Sequence, residues 1–192
     1  ARIEGYRNFC NKLWNVAKFA LSNTEDFARG ETVREAEVSD PINRWIADRT
    51  SHVIHSCRKA LEEYRFDLYA NHIYEFAWHE YCDWYIEMIK PNFWGDAEAS
   101  ERRRETQQTM LVVFETILKL AHPVMPFLTE TLWQEIRLRS VKKPTTIMLE
   151  RYPTSSDFRT DQQATQYVEW LKRCISSIRN IRGESQIKPN LK

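Results

Sequence analysis

Glycine is scarce in this chain, with four residues in 192, where average usage of about 7% would supply roughly a dozen. The four stand alone at Gly5, Gly30, Gly95 and Gly183. Glycine is the residue that reaches positive φ without strain, so so few of them exclude folds rich in tight turns, small barrels and dinucleotide-binding folds. Neither a G-x-G-x-x-G fingerprint nor a Walker A loop can be assembled from isolated glycines. Cysteine is also sparse. Cys10, Cys57, Cys82 and Cys174 are far apart with no C-x-x-C, which reads as reduced, buried thiols of a cytoplasmic protein. No apolar run approaches the length of a membrane span, and no basic, apolar-centred leader is present. Neither charge sign dominates: 28 basic and 27 acidic residues leave a net charge of +1. The chain opens on Ala1-Arg2-Ile3-Glu4 and closes on Lys188-Pro189-Asn190-Leu191-Lys192, and the expectation is a domain excised from something longer.

What the chain has in plenty is aromatic residues, 12% of the total, with seven Trp, eight Tyr and nine Phe. Apolar positions recur at helical spacing, which predicts six helices. The first covers 3–22. A polar loop with Gly30 follows over 23–39. Ser39-Asp40-Pro41 is a helix start, with Asp40 as cap and Pro41 at the first helical position. No Gly or Pro interrupts Ile42 to Lys90, a stretch divided at Phe66-Asp67 into helices 41–65 and 67–90. The remaining helices are 97–121, 126–139 and 161–182. The last carries Val168, Leu171, Cys174, Ile175, Ile178 and Ile181 as its stripe. An extended connection with Pro144 and Pro153 fills 140–160. The fold class is all-α, an antiparallel bundle of five to six helices.

Catalytic and metal constellations are weak. His52-x-x-His55-x-Cys57 and His79-x-x-Cys82 supply soft ligands on helix faces, but zinc takes four in closed geometry, and packed side chains explain them better. Glu75 and His79 are four residues apart, not the three of a di-iron helix, and no second copy exists. Cys82 beside His79 imitates a nucleophile pair with nothing to form an oxyanion hole. Glu75, Glu80, Asp83 and Glu87 read as one solvated stripe.

Charge distribution is more informative. Between Gly5 and Thr24 there is no Asp or Glu. The polar positions there are Arg7, Asn8, Asn11, Lys12, Asn15 and Lys18, which share one helix face. From Trp170 to Gly183 the charged residues are Lys172, Arg173, Arg179 and Arg182, again without an acid. Lys and Arg contact phosphates, and Asn both donates to and accepts from base edges. Single-stranded RNA also needs planes to stack on, for which Trp14, Trp170 and Phe27 are candidates. Trp14 itself falls on the apolar stripe and is assigned mainly to the core. The competing reading is a protein-interaction bundle whose basic faces dock an acidic partner.

Gly5-Tyr6-Arg7-Asn8-Phe9-Cys10-Asn11-Lys12-Leu13-Trp14-Asn15 resembles the opening helix of the anticodon-binding domain of valyl-tRNA synthetases. Phe76-Ala77-Trp78-His79-Glu80-Tyr81-Cys82-Asp83-Trp84-Tyr85 resembles its third helix. Leu120-Ala121-His122-Pro123-Val124-Met125-Pro126-Phe127, continuing to Gln134, resembles the join of its fourth and fifth, and Asn180-Ile181-Arg182-Gly183-Glu184 the end of its last. The His-Pro-x-x-Pro-Phe block is shared more loosely by isoleucyl and leucyl enzymes, which keeps those domains as alternatives. Where the family usually has Asp-Arg-Trp-Ile, this chain has Asn43-Arg44-Trp45-Ile46. The loop 23–39 matches poorly, so Phe27 and Arg29 gain no support from the resemblance.

The resemblance implies a class Ia aminoacyl-tRNA synthetase that joins valine to its tRNA with ATP and Mg. Residues 1–192 would be one anticodon-binding bundle, with 184–192 beginning a C-terminal extension. The catalytic and editing motifs of such enzymes are absent from this chain, so the fragment is expected to bind tRNA without a cofactor, to lack activity and to be monomeric. Its partners are the anticodon stem-loop of the valine tRNA and the catalytic domain of the same chain; no membrane is involved. The expected RNA contacts are Arg7, Asn8, Asn11, Lys12, Asn15 and Lys18, with Arg179 and Arg182 on the RNA backbone. His122 is expected to hold a helix end at the Pro-Pro junction, and the aromatic third helix to be the central packing element.

Overall fold

Six helices carry the fold, and the computed structural model describes residues 2–25, 27, 38–94, 101–137 and 145–186. They are α1 (Arg2–Ser22), α2 (Pro41–Glu62), the composite α3, α4 (Glu101–Ala121), α5 (Pro126–Arg137) and α6 (Gln162–Glu184). No strand occurs among the described residues. The expected all-α bundle is what forms. Gly30, Gly95 and Arg29 lie outside the described residues, as does most of the 23–39 loop.

Side-chain contacts fix the helix directions. The Phe9 ring meets Tyr74 at 5.2 Å and Phe19 meets Phe93 at 5.9 Å, so α1 runs parallel to α3. Tyr85 donates to Asn43 at 2.9 Å and Arg49 grips Glu80 through two hydrogen bonds of 2.7 and 2.9 Å, which makes α2 and α3 the expected antiparallel hairpin. Tyr81 donates to the carbonyl of Met110 at 2.7 Å and Tyr69 to that of Leu120, so α4 returns antiparallel to α3. At the start of α2, Asp40 accepts from the amide of Ile42 at 2.8 Å and Pro41 takes the first position, as the sequence predicts.

α3 is not an ordinary helix. It is α-helical over Phe66–Glu75, π-helical over Phe76–Tyr85 and α-helical again over Ile86–Ile89. Its inward pairs Phe76-Ala77, Tyr81-Cys82 and Tyr85-Ile86 recur at four to five residues, wider than the 3.6 of an α-helix and suited to i→i+5 hydrogen bonding. The widened turn carries Tyr81 to a stacked contact with Phe114 at 6.0 Å and with Tyr85 at 5.5 Å. The aromatic third helix is therefore the packing centre, as expected.

Several boundaries move. α2 ends at Glu62, and the chain reverses through Tyr64 at φ 57°. The amide of Arg65 bonds the carbonyl of Ala60 at 2.8 Å and that of Tyr64 bonds Leu61 at 3.1 Å, the paired bonds of a Schellman ending. The cap of α3 is Arg65 rather than Asp67. Gly5 lies within α1 and Gly183 is the residue before the last of α6, so non-glycine residues, Tyr64 and Gln186, occupy the left-handed positions. The connection before α6 is broken by short 3-10 turns at Ile147–Leu149 and Ser155–Asp157. His122 does hold the α4–α5 junction, its Nδ1 lying 2.8 Å from the hydroxyl of Thr129.

The apolar stripe expected on α6 is only partly covered: Ala164 and Val168 are the buried residues of this helix. Ile178 and Ile181 are 57% and 60% exposed. The reason is docking register. Asp48 of α2 accepts from the amide of Asp161 at 2.9 Å and the hydroxyl of Thr165 at 2.7 Å, and Lys172 reaches Trp45. α6 therefore runs antiparallel to α2, and its last turns extend past the level where α2 begins.

Candidate nucleic-acid interface

α1 buries one face and offers the other. Phe9, Leu13, Val16, Ala17 and Ala20 enter the core. Opposite them, Arg7, Asn11, Trp14 and Lys18 follow three- and four-residue spacing and form one outward ridge, flanked by Asn8 and Asn15. Arg7, Asn8, Asn11, Asn15 and Lys18 are exposed. None has a hydrogen-bond or ion-pair partner among the described residues. A solvated helix face ordinarily pairs its cations with acids three or four residues away; here the one acid of α1 is Glu4, in its first turn, and Lys18 has none within that reach on the helix.

Lys12 behaves differently. Its ammonium pairs with Asp83 and lies 4.3 Å above the Trp78 ring, which ties α1 to the π-helical stretch of α3. His79 closes the same group, with Nδ1 3.3 Å from the second oxygen of Asp83. The acidic residues of α3 are thus less a solvated stripe than a set of clasps: Glu80 to Arg49, Asp83 to Lys12, Glu87 to Lys90.

On α6, the Arg179 guanidinium lies 5.4 Å over Trp84. Lys172 is held by Glu169 at 2.7 Å between the rings of Trp45 and Trp84. Arg182 sits in the last turn. The α1 and α6 cations meet neighbouring residues of α3: Lys12 pairs with Asp83, and Lys172 and Arg179 lie over Trp84.

The stacking candidates also separate. Phe27 packs partly buried against the core. Trp14, assigned by the sequence to the core, is 39% exposed, because it falls on the outward ridge and not among the inward residues. The signal was present in the spacing of 7, 11, 14 and 18, but hydrophobicity outweighed position in the assignment.

Other chemistry finds no support among the described residues. No group of three or more His, Cys, Asp or Glu side chains is arranged to hold a metal ion. Cys82 is buried and its thiol is pushed up to about 12 by that burial, the opposite of an activated nucleophile. Cys57 is pushed up to about 12 for the same reason. A cleft of about 210 Å3 opens between α2, α4 and the approach to α6, lined by Asn43, Arg44, Glu105, Arg159 and Asp161. Three of its charges are engaged in structure: Arg44 pairs with Asp161 at 3.2 Å, and Glu105 accepts from Ser39, Asp40 and Asn43.

Residues 43–192 match the anticodon-binding domain of tRNA ligases. The chain belongs to that family. The anticodon-binding domain is also 43% identical over 192 residues to a valine–tRNA ligase from Legionella pneumophila (strain Lens). That match covers 98% of the chain, α1 included, and 20% of the relative, so the chain spans about one fifth of that enzyme's length. No helix among the described residues is long and apolar enough to cross a membrane.

Proposed function

We propose that this domain reads the anticodon of a valine tRNA as one part of a longer valine–tRNA ligase, whose amino-acid activation and editing reside in other parts of the enzyme. The observation that carries the reading is the outward face of α1 from Arg7 to Lys18, acid-free and unpartnered among the described residues, on a domain of the anticodon-binding family. Arg7 and Lys18 meet loop phosphates and carry a salt-dependent affinity. Asn8, Asn11 and Asn15 bond base edges, since an unpaired loop presents Watson–Crick edges that amides can both donate to and accept from. Arg179 and Arg182 contact the RNA backbone from α6. Lys12, clasped by Asp83, positions α1. Its described glycines, Gly5 and Gly183, lie on helices and supply no phosphate-cradling loop.

The test is a titration with valine tRNA and with the same tRNA carrying an altered anticodon, over a salt series. Tighter binding of the valine anticodon at every salt concentration supports the proposal. Equal binding of both removes anticodon reading by this domain.

A further inference from the structure

We propose that Trp14 is the stacking platform for one unpaired nucleobase of the anticodon loop, an inference that rests on the tRNA reading above. Of the seven tryptophans, Trp45 and Trp133 are fully buried. Trp78 is covered by Lys12 and stacked with Tyr74, and Trp84 is covered by Arg179 and Lys172. Trp14 has neither a ring nor a cation over it among the described residues, and 39% of its surface is open to solvent. Such a plane is what single-stranded RNA requires, since every base offers a π-face.

The setting favours RNA over a protein partner. Trp14 lies between Asn11 and Lys18 on the ridge, with Arg7 about 10 Å away along the helix axis at 1.5 Å per residue. The ridge thus places cations on both sides of one aromatic plane, with three amides adjoining it and no acid. An acidic protein surface would find cations here but no use for amides that donate and accept. Trp94 and Trp170 are exposed as well, at 70% and 56%, but Trp94 lies off this ridge, after the 3-10 turn Lys90–Phe93, and Trp170 follows Glu169 and shares its helix with the exposed aliphatics Ile178 and Ile181. That chemistry suits an apolar contact and not a charged polymer.

The test uses an RNA hairpin carrying a valine anticodon, with 2-aminopurine placed at each loop position in turn. Wild-type chain should quench the fluorophore at one position through stacking, and Trp14→Ala should leave it bright. Trp14→Ala should weaken binding about tenfold, in the range for loss of one base–aromatic stack, while Trp14→Phe keeps affinity within about threefold because a plane remains. Trp14→Ala should leave the salt slope unchanged, since no charge is removed, and the variant should remain folded at the binding temperature although the covered part of the ring is lost. Making the quenched nucleotide abasic should erase the difference between wild type and Trp14→Ala. If Trp14→Ala binds as wild type does and the quench persists, the stacking role is overturned while tRNA reading stands. A lowered salt slope in Trp14→Ala, or an affinity loss that Trp14→Phe shares in full, also overturns it, as the side chain then acts otherwise than as a stacking plane. Failure of the wild-type chain to bind the hairpin overturns tRNA reading itself, and the stacking role with it.

Discussion

Lys12 and Asp83 form an ion pair between α1 and the π-helical stretch of α3, with the ammonium 4.3 Å above the Trp78 ring. The same helix therefore holds two kinds of cation: one fixed to the bundle, and Arg7 and Lys18 left open to solvent. Lys12→Ala is expected to lower stability by about 0.5–1.5 kcal/mol, the sum of a partly exposed pair and a cation–π contact. The salt slope of tRNA binding should stay as it is. Urea unfolding and a salt-series titration of the same variant check both halves.

Asn43 accounts for its own departure from the family's usual Asp. It is fully buried, donates to Glu105 at 2.9 Å and to Thr106 at 3.3 Å, and accepts from Tyr85 at 2.9 Å. An aspartate there would lose both donated bonds and set a second carboxylate against buried Glu105. Asn43→Asp is expected to cost about 2–4 kcal/mol, the range for breaking a buried polar network. A denaturant midpoint unchanged from wild type would show that Glu105 tolerates a second carboxylate.

The scarcity of glycine has a measurable consequence. Gly5 and Gly183 lie on helices with open space where a Cβ would be, so Gly183→Ala, in the last turn of α6, should raise stability by up to about 0.5 kcal/mol through helix propensity and unfolded-state entropy. Tyr64 holds a left-handed backbone at φ 57° while its side chain is exposed. Tyr64→Gly should therefore stabilise or be neutral, where mid-helix glycines destabilise. Thermal unfolding of the two variants gives the signs.

Burial sets the thiol chemistry. Cys57 and Cys82 are buried with their pKa pushed up to about 12, while Cys10 and Cys174 are partly exposed. Native chain at pH 8 should label rapidly at Cys10 and Cys174 and at Cys57 and Cys82 only after unfolding. The linkage sign follows from a folded pKa above the unfolded value of 9.0. The stability these thiols contribute is fully present below pH 9 and falls as pH rises from 9 toward 12. Mass-mapped alkylation and unfolding midpoints between pH 8 and 11 measure these effects.

Most of the fold was legible because its signals are local: helical spacing, the Asp40-Pro41 start, and glycine- and proline-free runs. The π-helix was hidden because aromatic pairs at Phe76, Tyr81 and Tyr85 were read against an α-helical period. The exposed end of α6 was hidden because periodicity reveals an apolar stripe and not whether a neighbour is long enough to cover it. In the candidate site, the acid-free run on α1 was readable as composition. That Lys12 is clasped depends on Asp83, 71 residues away, and no spacing rule reaches that far. Trp14 was within reach, since its position relative to Arg7, Asn11 and Lys18 already placed it outward.

The most direct measurement is the salt dependence of tRNA binding by Arg7→Ala, Lys18→Ala and the double variant. If α1 presents these cations to phosphates, each substitution should weaken binding to every RNA tested and reduce the slope of log affinity against log salt by about 0.7 per lost contact, with the double variant near the sum. Unchanged affinity and slope in the double variant would contradict the assignment of the outward face of α1 to tRNA.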